Sequence, residues 1–163
     1  MEGFLPDDVA EIMALPDVKA AETLIDQGRA RLLDQLAGQV LIIEDEPLIA
    51  MDIEGIVQGL GHTVVGIVDT RKKAVEAAEA HSLNLVLADI RLADGSSGLD
   101  AVEDILEHIT VPVIFVTAFP ELLLTGERPE PTFLISKPFS KTELEIAIGQ
   151  ALFFGKAAAP RAA

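Results

Sequence analysis

Residues 39–47 read Gln-Val-Leu-Ile-Ile-Glu-Asp-Glu-Pro, a short apolar run followed by three acids and a proline. Four consecutive apolar residues, 40–43, are typical of a strand that is buried on both faces of a parallel sheet. Pro47 suits the first position of a helix, where the missing backbone N–H is not needed. The segment therefore predicts a strand, an acidic loop and a helix, the opening unit of an α/β fold.

The same alternation of strands and helices continues to near the end of the chain. Short β-branched runs predict five strands, and longer stretches with apolar residues at helical spacing predict the helices between them. The strands are expected at 40–43, 63–68, 85–88, 112–116 and 132–135. Helices are expected at 47–60, after Asp69-Thr70, at 98–108, weakly at 120–124, and from the capping box that begins at Ser140. We predict an α/β fold with a doubly wound, five-stranded parallel sheet.

The first 36 residues differ in character from the rest of the chain. Two helical stretches, 6–14 and 17–36, are broken at Leu15-Pro16, which is the spacing of a helix-turn-helix. Residues 154–163 are expected to form a flexible tail. The predicted domains are a short helical N-terminal segment over 1–36, a sheet domain over 38–153 and the tail over 154–163.

The charge balance restricts the partners that this chain can bind. Its 163 residues include 27 acids and 12 bases, a net charge of −15, which would repel nucleic-acid phosphates and anionic lipid surfaces. We therefore expect no direct contact with nucleic acid and none with a membrane. The absence of cysteine and of a basic signal-peptide start predicts a cytoplasmic protein.

Acidic residues follow two of the predicted strands. Glu44, Asp45 and Glu46 follow the first strand and Asp89 follows the third, so their carboxylates should meet at the carboxyl edge of the sheet. Crowded carboxylates repel each other unless a cation neutralises them, and hard oxygen ligands suit Mg²⁺. The predicted ligands are Glu44, Asp45, Asp89 and the backbone carbonyl of Arg91. An isolated acidic triplet is more often a solvated loop, so the prediction depends on the neighbouring groups.

Two further polar residues should reach the same edge. Thr117 follows the fourth strand and Lys137 the fifth. A carboxylate nucleophile, a metal ion and a fixed cation are the parts that phosphoryl transfer requires. We therefore predict that Asp89 forms an aspartyl phosphate, with Lys137 neutralising phosphoryl oxygens and Thr117 donating a hydrogen bond. Pro138 is expected to hold the loop of Lys137 rigid, with cis and trans peptide bonds both open.

With these residues in place, the segment 40–152 resembles the receiver domain of bacterial two-component response regulators. The resemblance implies a flavodoxin-like receiver fold and a switch rather than an enzyme, phosphorylated by a sensor histidine kinase or a histidine phosphotransferase. It also implies roles for six residues: Glu44 and Asp45 as the acidic pair, Asp89 as phosphoacceptor, Thr117 as switch hydroxyl, and Lys137-Pro138 as the closing lysine and its proline.

Residues 115–121, Phe-Val-Thr-Ala-Phe-Pro-Glu, further resemble receivers of the PhyR-type general stress response regulators. In that family a sigma-factor-like domain precedes the receiver, and residues 2–31 are similar to its last helix-turn-helix. The resemblance implies that phosphorylation controls capture of a NepR-type anti-sigma factor. Residues 1–36 carry a net charge of −5, so mimicry of a sigma factor fits them better than DNA binding. A plain acidic hairpin that packs on the receiver stays open as the alternative.

The switch departs from the usual receiver pattern. Many receivers couple the threonine to an aromatic residue on the fifth strand, whereas this chain has no tyrosine and has Leu134 three residues before Lys137. Phe133 should face the opposite side of that strand. We expect the switch in Thr117, Phe119, Lys137 and Pro138.

Two other functions remain open at this stage. One is a phosphorylation-controlled, DNA-binding transcription regulator. The other is a phosphatase with an aspartyl intermediate, but those enzymes carry an Asp-x-Asp signature, whereas Asp89 is followed by Ile90 and Arg91. The glycine-rich stretch 95–98 lacks the patterns that cradle nucleotide phosphates.

Overall fold

The computed structural model describes residues 18–123 and 132–158. The chain divides between Ala37 and Gly38 into two compact units. The first unit contains helix α1, Val18–Leu36, which corresponds to the second of the two helical stretches predicted at the N-terminus. The predicted stretch 6–14 and the break at Leu15-Pro16 lie outside the described residues.

The second unit alternates strands and helices as the sequence predicts. Its strands are β1 (Gln39–Ile43), β2 (Thr63–Val68), β3 (Leu85–Ala88), β4 (Val113–Thr117) and β5 (Thr132–Ser136). Its helices are α2 (Pro47–Gly59), α3 (Arg71–Ala80), α4 (Gly98–Leu106) and α5 (Lys141–Ala158), with a 3₁₀ turn at Pro120–Leu123. Among the described helices, none has the length and apolar character that crossing a bilayer requires.

The five strands form one parallel sheet in the order β2-β1-β3-β4-β5. Alternate residues of β1 enter two separate cores because successive side chains of a strand point to opposite faces. Ile42 packs in the core formed with α2 and α5, whereas Leu41 packs in the core formed with α3 and α4. The predicted doubly wound α/β fold is confirmed, and both faces of the sheet are covered by helices.

Side-chain caps define where three of the helices begin. The Thr70 hydroxyl accepts from Lys73 N–H before α3, and the Ser97 hydroxyl accepts from Leu99 and Asp100 N–H before α4. Before α5, Ser140 and Glu143 bond reciprocally, which is the predicted capping box. These caps fix the ends of the loops that follow β2, β3 and β5, and so position the carboxyl edge of the sheet.

Helix α5 continues to Ala158, further than the sequence predicts. The prediction of a flexible tail from residue 154 is therefore wrong for 154–158, and residues 159–163 lie outside the described part of the chain. The Phe154 ring stacks on Phe133 of β5, with centroids 6.3 Å apart. Gly155 approaches Pro112 so closely that a Cβ there would lie 2.9 Å from the proline Cγ. These contacts with the sheet stabilise the extra turn.

Candidate functional site

Four polar residues gather at the carboxyl edge of the sheet. Glu44 follows β1, Asp89 follows β3, Thr117 ends β4 and Lys137 follows β5. Glu44, Asp89 and Thr117 are buried, with 3%, 7% and 0% of their surface exposed. The sequence predicts this meeting from topology alone, and buried polar groups of this kind require partners.

Backbone hydrogen bonds hold these residues at fixed positions. The sheet ladder continues for one residue beyond the carboxyl ends of β1, β3 and β5, so each functional residue is bonded to a neighbouring strand. The three bonds run from Glu44 N to Val68 O (2.9 Å), from Asp89 N to Ile43 O (2.8 Å) and from Lys137 N to Thr117 O (2.8 Å). The side chains therefore start from a rigid edge rather than from mobile loops.

Lys137 joins the carboxylates of two strands. Its Nζ lies 2.8 Å from Glu44 Oε2, 2.8 Å from Asp89 Oδ2 and 3.6 Å from Glu46 Oε1. Burial by itself would lower the pKa of Lys137, but the hydrogen bonds to Asp89 and Glu44 outweigh it and raise that pKa. The side chain is therefore a permanent ammonium ion at the centre of the acidic group.

Burial raises the pKa of Glu44. Lys137 and the backbone N–H of Glu46, which donates to Glu44 Oε1 at 3.1 Å, both lower that pKa but do not offset the loss of water. Loss of water thus disfavours the charged form of Glu44, and a nearby cation would favour that form.

Both carboxylate oxygens of Asp89 have defined donors. Oδ1 accepts from the backbone N–H of Ile90 at 2.6 Å and, more weakly, from that of Arg91 at 3.4 Å. Oδ2 accepts from Lys137. The carboxylate is thus oriented beside an ammonium ion, an arrangement that suits a nucleophile whose product carries additional negative charge.

Three carboxylates in the described part of the chain could together hold a cation. Oxygens of Glu44, Glu46 and Asp89 lie within 4.8 Å of one another. Such hard oxygen donors fit Mg²⁺. The sequence predicts Asp45 as a ligand and misses Glu46, because three adjacent acids cannot be ranked without the loop geometry. Glu46 is the N-cap residue of α2, and its side chain makes no capping hydrogen bond.

The residues expected to form the switch lie around this pocket. Thr117 Oγ1 accepts from the backbone N–H of Phe119 at 3.1 Å. The guanidinium carbon of Arg91 lies 3.9 Å from the centroid of the Phe119 ring. The Lys137–Pro138 peptide bond is cis. No spacing rule connects residues 91 and 119, so the sequence gives no indication of the contact between Arg91 and Phe119.

The two residues of β5 that bear on the switch face opposite cores. Phe133 packs against the core of α2 and α5, whereas Leu134 packs against the core of α3 and α4. The predicted orientation of Phe133 is therefore confirmed. Leu134, three residues before Lys137, is thus an aliphatic side chain at the position where many receivers have an aromatic one.

Gly98 supports the loop that carries Asp89. Its N–H donates to the Ile90 carbonyl at 2.7 Å, and a Cβ at this position would overlap the carbonyl oxygen of Asp89. Only glycine permits this approach of the start of α4 to the loop. From sequence, the 95–98 stretch is a plain turn, and its role in positioning Asp89 emerges only from the structure.

Comparisons with known proteins agree with this geometry. The response regulator receiver domain matches residues 40–149. The chain is 53% identical to the phyllosphere-induced regulator PhyR of Methylorubrum extorquens, over 100% of this chain and 61% of that protein. It thus spans about three fifths of the length of this curated relative.

Solved structures of similar proteins have the same fold. The receiver domain of PhyR from Erythrobacter litoralis superposes with a TM-score of 0.71 at 57% identity, covering 78% of this chain and 97% of that one. PhyR of Bartonella quintana, in its complex with the anti-sigma factor NepR, superposes with a TM-score of 0.58 at 56% identity, covering 93% and 62%. The edge-of-sheet pocket and these similarities lead to one conclusion: the chain belongs to the response regulator receiver domain family.

Proposed function

We propose that this chain is the phosphorylation-controlled receiver of a two-component response regulator, with Asp89 as its phosphoacceptor. The donor is a sensor histidine kinase or a histidine phosphotransferase. The observation that carries the proposal is the 2.8 Å hydrogen bond from Lys137 Nζ to Asp89 Oδ2 in a buried pocket. A carboxylate whose partner is a permanent cation can accept a phosphoryl group without leaving its added charge uncompensated.

The transfer forms one bond and breaks another. An Asp89 carboxylate oxygen attacks phosphorus, and the bond from phosphorus to the donor's imidazole nitrogen breaks, with its electron pair remaining on that nitrogen. The Ile90 N–H holds Oδ1 and so sets the direction of attack. Lys137 offsets charge on the phosphoryl oxygens, and the buried hydroxyl of Thr117 is placed at the same edge to donate to one of them.

The same pocket suits Mg²⁺. We propose Glu44, Asp45, Asp89 and the Arg91 carbonyl as its ligands, and the position of the Glu46 carboxylate supports a further contribution from that residue. Three carboxylates share one ammonium ion in this pocket, and a divalent ion would supply further positive charge. When bound, the ion would neutralise oxygens of the transferred phosphoryl group.

The output of the switch is proposed to be protein binding in a general stress response. The chain is 56% identical to the PhyR that was solved in complex with NepR. We propose that residues 1–36 are the end of a sigma-factor-like domain, that residues 38–153 are the receiver, and that phosphorylation of Asp89 controls capture of a NepR-type anti-sigma factor. The protein would then act in the cytoplasm as an anti-anti-sigma factor that regulates transcription, and the net charge of −15 disfavours direct DNA binding.

A phosphatase with an aspartyl intermediate is disfavoured by the residue two positions after Asp89. That position holds Arg91, whose guanidinium lies over Phe119, so it supplies no carboxylate that could act as the acid and base of turnover. The protein is therefore proposed to be a switch that at most assists its own phosphorylation and dephosphorylation.

The decisive experiment measures where a phosphoryl group is attached. Wild type and Asp89→Ala are incubated with Mg²⁺ and acetyl phosphate and analysed by intact mass, and beryllofluoride is added in parallel for backbone NMR. We expect only wild type to gain the mass of one phosphoryl group, and residues 117–137 to show the main shift changes. Labelling of Asp89→Ala, or of another residue in wild type, would contradict the proposal.

A further inference from the structure

We infer that Arg91 is a positioning residue that exchanges partners: it holds the Phe119 ring in the resting state and moves to the phosphoryl group when Asp89 is modified. This inference rests on the proposed function, because it requires that Asp89 accept a phosphoryl group. It goes further by naming the contact that must break when Asp89 is modified. That contact connects Asp89 to the 3₁₀ turn at Pro120–Leu123 and does not require an aromatic residue on β5 beside Thr117.

The contact between Arg91 and Phe119 bridges the two loops beside the pocket. Arg91 lies two residues after Asp89, and Phe119 lies two residues after Thr117. The guanidinium carbon is 3.9 Å from the ring centroid, which places the cation over the ring face, where the aromatic quadrupole attracts it. The loop after β3 is therefore joined to the loop after β4 through side chains.

Each partner in this contact is also bonded to a functional residue. The Arg91 backbone N–H donates to Asp89 Oδ1 at 3.4 Å, and the Phe119 backbone N–H donates to Thr117 Oγ1 at 3.1 Å. Phe119 also accepts, through its carbonyl, from Leu122 N–H at 3.2 Å. A continuous path thus runs from Asp89 through Arg91 and Phe119 to Thr117 and to the 3₁₀ turn.

Phosphorylation changes which partner Arg91 prefers. A phosphoryl group adds about −1.5 to −2 charge units two residues from Arg91, and a guanidinium binds phosphate oxygens through charge-assisted hydrogen bonds. Such an ionic partner is stronger than a partly exposed aromatic ring. Once the guanidinium leaves the ring, Phe119 is no longer held, and the Thr117 hydroxyl bonded to it can move with the loop.

The composition of β5 leaves Thr117 without an aromatic partner on that strand. Leu134 is aliphatic, and Phe133 faces the other core and stacks on Phe154. No aromatic side chain on β5 is therefore placed to rotate when Thr117 moves. We infer that phosphorylation acts on the contact between Arg91 and Phe119. Its two states are the guanidinium on the ring and the guanidinium on the phosphoryl group.

A double-mutant cycle tests this exchange in the full chain, with beryllofluoride and Mg²⁺ as the probe. Phe119→Leu removes the resting contact but keeps an apolar side chain, so we expect its beryllofluoride affinity to rise roughly two- to fivefold. In the Arg91→Gln background the same substitution should change affinity little, because no contact remains to be broken. Phe153→Leu, which alters an exposed ring on α5, is the matched control and should leave affinity unchanged.

NMR of the Arg91 side chain supplies an independent readout. In the resting protein its protons should be shifted upfield by the Phe119 ring, and beryllofluoride should remove that shift in wild type. If beryllofluoride binds but the upfield shift persists, or if Phe119→Leu has equal effects in both Arg91 backgrounds, the exchange is wrong while the proposed function stands. If wild type binds no beryllofluoride, the proposed function itself fails.

Discussion

Lys137, at the end of β5, donates a 2.8 Å hydrogen bond to Asp89, which lies 48 residues earlier at the end of β3. The same ammonium lies 2.8 Å from Glu44 at the end of β1. One buried cation therefore compensates two buried carboxylates that come from different strands. Since the pocket has more acids than bases, its stability should respond sharply to substitution, pH and added cations.

Removing the ammonium should destabilise the fold. In Lys137→Met the buried carboxylates of Glu44 and Asp89 lose their shared partner, and breaking a buried ion pair on one side costs about 3–5 kcal/mol. We expect a loss of that order in the free energy of unfolding, measured by urea denaturation near neutral pH. Lys141→Met, which removes an exposed pair with Glu145, is the control and should change stability little. Equal effects of the two substitutions would mean that the pocket pair contributes no more than a surface pair.

The stability of the fold should depend on pH through Glu44. Its pKa is raised above the ordinary 4.5 by burial, so its favourable contribution is present below that value and is lost as pH rises through the higher folded-state pKa. Glu44→Gln cannot ionise. The free energy of unfolding of this variant, relative to wild type, should therefore rise as pH increases above 4.5 and level off once pH exceeds the raised folded-state pKa of Glu44. A relative stability that falls over this range would show that Lys137 lowers the Glu44 pKa more than burial raises it.

Mg²⁺ should stabilise the protein, and substitutions should identify its ligands. At a roughly hundredfold excess over its Kd, an ion that binds only the folded state adds about 2.7 kcal/mol, which calorimetry detects as a rise in Tm. We expect Asp45→Asn and Asp89→Asn to abolish the rise and Glu46→Gln to reduce it. If Asp45→Asn keeps the full response and Glu46→Gln loses it, Glu46 rather than Asp45 is the ligand.

Gly98→Ala should disturb both the fold and Asp89. The added methyl would overlap the Asp89 carbonyl oxygen, and overpacking of this kind costs about 1–3 kcal/mol. We expect lower stability in urea and slower labelling by acetyl phosphate. Gly55→Ala is the matched control, because Gly55 lies in α2 with open space around it and should gain about 0.5–1 kcal/mol. A Gly98→Ala protein that is as stable and as reactive as wild type would contradict the positioning role.

Much of the fold could be predicted from sequence because the strands are short, apolar and separated by helices. The run 85–88 is predicted with the bounds of β3 itself, since burial on both faces leaves no polar residue inside it. The prediction for β4 is displaced by one residue. Pro112 cannot donate to the ladder, whereas the buried Thr117 pairs with Ser136 and extends the strand.

The assembly of the site was predictable for a related reason, but its details were not. Parallel strands bring their carboxyl ends to one edge, which is enough to place Glu44, Asp89 and Lys137 together. Which of several adjacent acids lies beside Lys137 depends on loop dihedral angles, so the sequence does not single out Glu46, whose carboxylate lies 3.6 Å from the ammonium. The position of Arg91 over Phe119 depends on the rotamers of both side chains, and no periodicity in the sequence encodes it.

The distribution of the pocket over the sheet has a consequence for synthesis on the ribosome. Glu44 precedes Lys137 by 93 residues, and β5, which brings the ammonium, is made after the other four strands of the sheet. A nascent chain that has emerged as far as β4 therefore contains both buried acids but lacks the cation between them. The two acids can therefore meet their shared ammonium ion only after β5 is added at the sheet edge, so this part of the fold is completed late in synthesis.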